Sequence, residues 1–493
     1  VTSRTIDLEL EDEEETNRHK GVSDKKLGRR KKRRTESADV PKADQSSDLS
    51  PLSRYGYLSG IAGAVTVMAM GYLASRRGAM DHGWHLYPSA TPPSPHLSAG
   101  FVLLVIAVIM YAIELAIRLA VDRGKVISVA DDVRAKRYGR FVEQCVKVYL
   151  VDLGLLALVF WFYRHLNEYG FERSAPYYQP WFALVPYFWW TYVIIGLPYV
   201  LCTRAFQHDP DSDRKQPAFM AMKAIHALAY RLRLVTTHPA PFDKYDQSAL
   251  LGIFVKGFYV PLMTVFFSDQ FSHLVRNWGY VRDVLNHTTN PVTVVDVWNV
   301  SHSVIFAIDV GVAWAGYAIS SRWIKNTLFS VEPTLTGWAV ALMCYPPFQN
   351  NFGFYFSTPN ENAFLSLQAS TAVNILTVCS ILSFAVYTSA TVCFGLRFSN
   401  LTHRGIITTG PYALIRHPAY AAKNFSWWCI MFPFALHQIF SGQLGAFYQV
   451  IGLVAMTGVY YLRARTEEWH LEKDPEYRKY CKKVPYRFVP GVF

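Results

Sequence analysis

The stretch from Ser98 to Ala120 reads SAGFVLLVIAVIMYAIELAIRLA. As a helix it runs roughly 35 Å at about 1.5 Å per residue, enough to cross a hydrocarbon core about 30 Å thick. Only Glu114 and Arg118 interrupt its apolar surface. The segment that follows is the reverse, with Arg123, Lys125, Arg134, Lys136, Arg137 and Arg140 crowded into a short loop. A long apolar run that ends in a cluster of cations is the pattern of a membrane crossing whose exit lies in the cytosol.

The same pattern recurs along the chain. Apolar runs fall near 57–75, 98–120, 147–165, 181–202, 249–267, 299–320, 332–348, 368–395, 422–440 and 443–463, which predicts about ten membrane helices. The loop after the fourth run carries Arg204, Arg214, Lys215, Arg231 and Arg233. Arg322 and Lys325 follow the sixth, and Arg397, Arg404 and Arg416 follow the eighth. The alternate loops 164–180 and 268–298 are near neutral. An even number of crossings then leaves both termini cytosolic. The expected fold is all-α, a polytopic membrane protein with a cytosol-facing C-terminal pocket and a helix lying at the interface near 216–234. Membrane lipids are its expected surroundings.

Composition agrees with this reading. Of 493 residues 51% are apolar and 15% aromatic, and the formal net charge is +12. Residues 1–54 read as a disordered, charged cytosolic tail, with an acidic block from Asp7 to Glu15 and a basic one through Lys25, Lys26 and Arg29 to Arg34. No folded nucleic-acid-binding motif accompanies that block, so nucleic acid is not an expected partner. Residues 55–395 hold the N-terminal membrane helices, and 396–493 form a distinct C-terminal region. The seven cysteines show no C-x-x-C spacing and read as small buried hydrophobes, with no metal site expected. No signal peptide opens the chain, and Val1 is expected to follow the natural methionine.

Five ionisable residues lie within predicted spans: Glu114, Arg118, Asp152, Lys256 and Asp309. Such groups are costly in hydrocarbon and face a partner or a polar cavity. Arg118 and Asp152 read as helix-pairing or snorkelling groups, Glu114 and Asp309 as the candidates for a cavity.

The chemistry concentrates in the last hundred residues. From Asn400 the chain reads NLTHRGIITTGPYALIRHPAYAAKNFSWW and, after a hairpin, YLRARTEEWHLEKDPEYRKYCKKVPYRFVPGVF. Gly410-Pro411 signals a turn, and Pro418 suits the first position of a helix. Arg463, Glu467 and Leu471 recur at spacings of four and share a helix face. A tight hairpin brings His417 and Tyr420 level with Arg463 and Glu467, forming a half-polar pocket. Cations for a carboxylate or phosphate, a carboxylate for ribose hydroxyls or a cationic centre, and aromatic faces for a purine suit a charged, flat cofactor. S-adenosylmethionine and NADPH both fit that description.

The pattern G-P-Y-x3-R-H-P-x-Y (Gly410, Pro411, Tyr412, Arg416, His417, Pro418, Tyr420) is followed by R-x3-E-E-x2-L (Arg463, Glu467, Glu468, Leu471). It continues with Glu476, Tyr477, Tyr480, Val484 and Pro485. Together these resemble the isoprenylcysteine carboxyl methyltransferase family and the wider group of membrane phospholipid methyltransferases. The resemblance implies S-adenosylmethionine contacts from Tyr412, Arg416, His417, Tyr420, Arg463, Glu467 and Glu468, with His417 and Glu467 as candidate catalytic groups. It implies a lipophilic acceptor. Where that family often has glycine two residues after the tyrosine, this chain has Ala421, Ala422 and Lys423 after Tyr420. The long N-terminal portion and the ending VPYRFVPGVF are similar to the NADPH-dependent sterol reductases, but the Arg-Asp helix motif of that group has no counterpart. The Glu467-Glu468 pair favours methyl transfer over reduction.

Overall fold

The structure is a computed structural model that describes residues 49–77, 95–121, 129–167, 169, 177–206, 215–286, 292–349 and 371–492. The charged tail lies almost wholly outside the described residues, as do Arg123, Lys125 and Arg214. Long helices make up nearly all of the described chain: α1 (Leu49–Arg77), α2 (Pro95–Val121), α3 (Tyr138–His165), α4 (Gln179–Ala205), α5 (Pro217–Arg231), α6 (Lys244–Leu285), α7 (Val294–Ala318), α8 (Leu335–Leu342), α9 (Thr371–Phe394), α10 (Pro418–Phe440), α11 (Phe447–Leu471) and α12 (Pro475–Lys483). Among the described residues, eight segments, in α1 to α4, α6, α7, α9 and α11, are long and apolar enough to cross a membrane. The protein is an all-α, integral, multi-pass membrane protein.

Two expectations are corrected. The predicted span 332–348 contains only α8, eight residues long. Thr334 caps its start by accepting from the Gly337 N–H, and the Pro346-Pro347 pair denies the helix a continuation. The loop expected over 268–298 is largely helix, because α6 runs for 42 residues to Leu285, roughly 63 Å and twice a hydrocarbon core. Phe271, Leu274 and Val275 are buried and Trp278 packs with them. Their spacing is that of one helix face, too diluted by polar neighbours to register as an apolar run. The predicted ninth span, 422–440, falls within α10, a helix of 23 residues.

The main core lies between α1, α2, α6 and α7, where Leu103, Ile106, Leu262, Phe267 and Tyr317 are fully buried. Tyr259 of α6 and Tyr317 of α7 stack with centroids 4.7 Å apart and planes 7° from parallel. Without a solvent-driven hydrophobic gain between helices in lipid, such close packing is what holds them. Gly60 lets α1 meet the backbone of α9, since a Cβ there would stand 1.9 Å from the Val392 carbonyl oxygen.

One end of the bundle gathers the polar side chains. Glu114 of α2 accepts from Ser59 at 3.0 Å and pairs with Arg397 at 3.2 Å, so it ties α1 and α2 to the end of α9 instead of facing a cavity. Arg118 donates to the carbonyls of Arg322 and Trp323. Away from that end, midway along both helices, Asp152 accepts from Tyr192 at 3.3 Å and pairs α3 with α4. Arg404 donates to the carbonyls of Gly316 and Ile319 at the C-terminus of α7, where a cation suits the helix dipole. A two-residue antiparallel pairing, β1 (Ser330–Val331) with β2 (Thr402–His403), joins the loop after α7 to the loop before α10.

Candidate functional site

The loop that leads into α10 is built by the residues singled out in the sequence. Gly410 takes φ +61° and, with Pro411, opens a single 3-10 turn through Ala413. Pro418 occupies the first turn of α10, where its missing N–H costs nothing. The N–H groups of Arg416 and His417 donate to the carbonyls of Tyr486 and Arg487 at 2.9 Å each. The C-terminal segment is thereby laced beside the loop, and the Phe488 ring packs 5.7 Å from that of His417.

Glu467 and Glu468 sit side by side on α11 and point about 100° apart. Their fates differ accordingly. Glu468 is fully buried behind the pocket, paired with Arg416 at 2.8 Å, Arg487 at 2.8 Å, Arg465 at 3.0 Å and His417 Nε2 at 3.3 Å. Glu467 turns toward a cavity of about 170 Å³. The Tyr420 hydroxyl donates to Glu467 Oε1, while His417 Nδ1 and Arg463 Nε each lie 3.8 Å from its carboxylate. The His417 ring lies nearly parallel to that of Tyr420, 6° apart with centroids at 5.6 Å.

Arg463 is the cation of this wall. Its guanidinium lies 5.0 Å over the Tyr420 ring, 5.8 Å over Tyr345 and 5.9 Å over Tyr460, and Nη2 donates to Asn400 Oδ1. The buried Nε has no hydrogen-bond partner among the described residues. That leaves an N–H beside the cavity for an acceptor atom of a ligand.

The rim is set by the loop that carries β2. The Gly405 N–H donates to His403 Nδ1 at 3.1 Å, which fixes the ring proton on Nε2, and Nε2 donates to Asp474 Oδ2 at 2.7 Å. That hydrogen bond holds the Asp474 carboxyl below its ordinary range. Arg404 is 3% exposed, and burial pushes its guanidinium down to about 10. His470 links α11 to the loop after α7 through Ser330 at 3.0 Å and Glu332 at 3.5 Å.

The cavity continues down between α9 and α10, where Tyr387, Thr391 and Lys423 line it. Asp309 of α7 stands just behind, accepting from Tyr387 at 2.8 Å and from Thr391 at 2.5 Å. Of the predicted site residues, Tyr412, Arg416, His417, Tyr420, Arg463 and Glu467 line the cavity. Arg416 does so with a guanidinium already engaged by Glu468 and by the Pro485 carbonyl at 2.8 Å. Glu468 is not among the lining residues and acts as the anion that binds loop, helix and tail together. Asn400, Tyr345, Tyr387 and Lys423 were not singled out from the sequence for this site. They belong to four separate segments, and no spacing rule connects them.

A family model described as a protein of unknown function (DUF1295) matches residues 351–484. No curated protein and no solved structure matches the chain.

Proposed function

We propose that this cavity binds S-adenosylmethionine and that the protein methylates a lipophilic acceptor drawn from the bilayer. The reading rests on one observation: Glu467, Tyr420, His417 and Arg463 converge on a cavity that runs from the polar end of the bundle to the interior between α9 and α10. We read that polar end as the cytosolic one from the cations Arg322, Lys325, Arg397, Arg404 and Arg416 carried by the loops that β1 and β2 join there.

The donor set suits this cofactor. Arg463 Nε, which makes no hydrogen bond among the described residues and lies 3.8 Å from Glu467, offers a buried N–H to the amino-acid carboxylate. Glu467 is placed to accept from ribose hydroxyls or to face the ammonium. The parallel His417 and Tyr420 rings offer flat surfaces to a purine. Bound there, S-adenosylmethionine supplies an electrophilic methyl group. What the protein must add is alignment and the exclusion of water, which the enclosed walls of α9, α10 and α11 supply. If the acceptor is a hydroxyl or amine, His417 and Glu467 are the groups placed to take its proton.

A second reading, reduction of a sterol-like double bond by NADPH, is favoured by one feature. The Tyr387 hydroxyl lines the cavity and is hydrogen-bonded to Asp309, a tyrosine–carboxyl pair suited to relay the proton that reduction requires and methyl transfer does not. Thermal stabilisation of the purified protein by S-adenosylhomocysteine and by NADPH, measured in parallel, separates the two. Stabilisation by S-adenosylhomocysteine, lost in both His417→Ala and Glu467→Ala, is the expected result. Stabilisation by NADPH alone overturns the methyltransferase reading.

A further inference from the structure

Away from the C-terminal cavity, α5 presents its faces in the reverse of the order that water selects. It has 15 residues, roughly 22 Å, and is too short to cross a hydrocarbon core. Ala218, Ala221, Ile225, Leu228 and Leu232 follow one another at spacings of three and four and form one stripe. At its start the stripe is buried, with Ala218 in the cluster that holds Phe141, Cys145 and Val148 of α3 and Val200 of α4. Further along it is bare, and Ile225, Leu228 and Leu232 are 58, 57 and 61% exposed. The opposite face, Lys223, His226 and Tyr230, is the one tied down by the returning chain. Lys223 pairs with Asp246 of α6 at 2.7 Å. His226 Nε2 meets the Thr237 hydroxyl at 2.9 Å, and the Tyr230 hydroxyl meets His238 Nε2 at 2.9 Å.

The turn that ends α5 extends this bare surface. The N–H groups of Arg233 and Leu234 donate to the carbonyls of Tyr230 and Ala229 at 3.0 and 2.9 Å, with Arg233 in the left-handed region at φ +58°. Such a closure ordinarily places glycine at the left-handed position, because a Cβ there is strained. Here an exposed arginine takes it, followed by Leu234 at 74% exposure. Strain kept at a surface position points to a role beyond closing the helix. Charge indicates the occupant. From Lys215 to Phe242 the charged residues are Lys215, Lys223, Arg231 and Arg233, with no aspartate or glutamate among them. The acids that follow, Asp243 and Asp246, both pair with Lys223.

We propose that the second half of α5 and its Arg233 turn form a foot seated in the membrane surface, where they bind anionic phospholipid. Acyl chains cover Ile225, Leu228, Leu232 and Leu234, while Arg231 and Arg233 donate to headgroup oxygens. The level is right for this. The buried half of α5 packs on Phe141 near the start of α3 and on Val200 near the end of α4, two helices long and apolar enough to span. A second copy meeting the stripe across a two-fold axis would set the same arginines against each other, so charge favours lipid. The inference is independent of the chemistry proposed for the C-terminal cavity.

The test uses full-length protein in nanodiscs of phosphatidylcholine and phosphatidylserine in equal amounts, with Leu228 replaced by the photoreactive p-benzoylphenylalanine. Irradiation is expected to give lipid adducts, read by mass, in which phosphatidylserine exceeds phosphatidylcholine about fivefold or more, the scale of one cation at a membrane surface. Combining Arg231→Gln with Arg233→Gly is expected to bring that ratio to about one. Arg233→Gly alone is expected to lower the ratio while the thermal midpoint stays equal or rises, since glycine takes the left-handed turn without strain. That pairing of results separates loss of the cation from loss of the fold. A ratio near one with both arginines present overturns the proposal, as does a phosphatidylserine excess that survives the double substitution. Chain-to-chain crosslinks in place of lipid adducts, or no adduct at all, overturn it as well, the former by assigning the stripe to a second copy.

Discussion

Between α1, α2, α6 and α7 the chain buries Leu262, Phe267, Phe271 and Tyr317 against one another, whereas around α10, α11 and the C-terminal tail it buries Glu468 among Arg416, His417, Arg465 and Arg487. The two regions fail differently. Apolar packing loses stability in proportion to the atoms removed, because neighbours collapse partly into the gap. A buried charge cluster does not degrade by degrees, since removing its one anion leaves several cations desolvated and unpaired. The apolar core tolerates variation, while the region that forms the cavity needs one particular side chain in place.

That contrast can be broken most directly at Glu468. Glu468→Ala is expected to cost about 3–5 kcal/mol, seen as a large fall in the thermal midpoint of the purified protein and as release of the C-terminal tail to proteolysis. A loss below about 1 kcal/mol, the scale of an exposed pair, would mean that the cluster is not the clamp described here. In the apolar core, Leu262→Ala is expected to cost about 2–5 kcal/mol while leaving S-adenosylhomocysteine binding unchanged. Equal damage to ligand binding would erase the distinction between the two regions.

The smallest effect is expected at the rim. The folded-state pKa of Asp474 is depressed, first by the His403 hydrogen bond. Its stabilising contribution is therefore complete above the unfolded value of about 3.9 and is lost as pH falls through the folded value. Asp474→Asn keeps the capping acceptor for the Glu476 N–H but not the charge. The variant should trail the unaltered protein in thermal midpoint near neutral pH and converge with it in acid. A gap that widens as pH falls would contradict the assignment.

The features that could be read in advance share a cause: they depend on neighbours close in sequence. Apolar runs mark the spanning helices because hydrocarbon thickness sets their length, and Pro418 marks the start of α10 because proline lacks an N–H. The motif spacing brought His417, Tyr420, Arg463 and Glu467 to one cavity because they lie on the two arms of a single hairpin. Where the signal was diluted, the reading failed. Phe271, Leu274, Val275 and Trp278 alternate with polar residues, so their helix carries no apolar run, and 332–348 has the apolar content of a span that Pro346 and Pro347 do not permit.

By itself, then, the sequence determined that the chain is a helical membrane protein whose polar chemistry is concentrated after Asn400, since burial in lipid and helix periodicity act through local composition. Only the tertiary structure decided which of two adjacent glutamates faces the cavity, that Asn400 and Tyr345 complete the setting of Arg463, and that the apolar stripe of α5 is left bare from Ile225 onward. Those outcomes depend on the rotation of each helix about its axis and on contacts between distant segments. A turn of about 100° per residue separates a structural clamp from a candidate ligand-binding group.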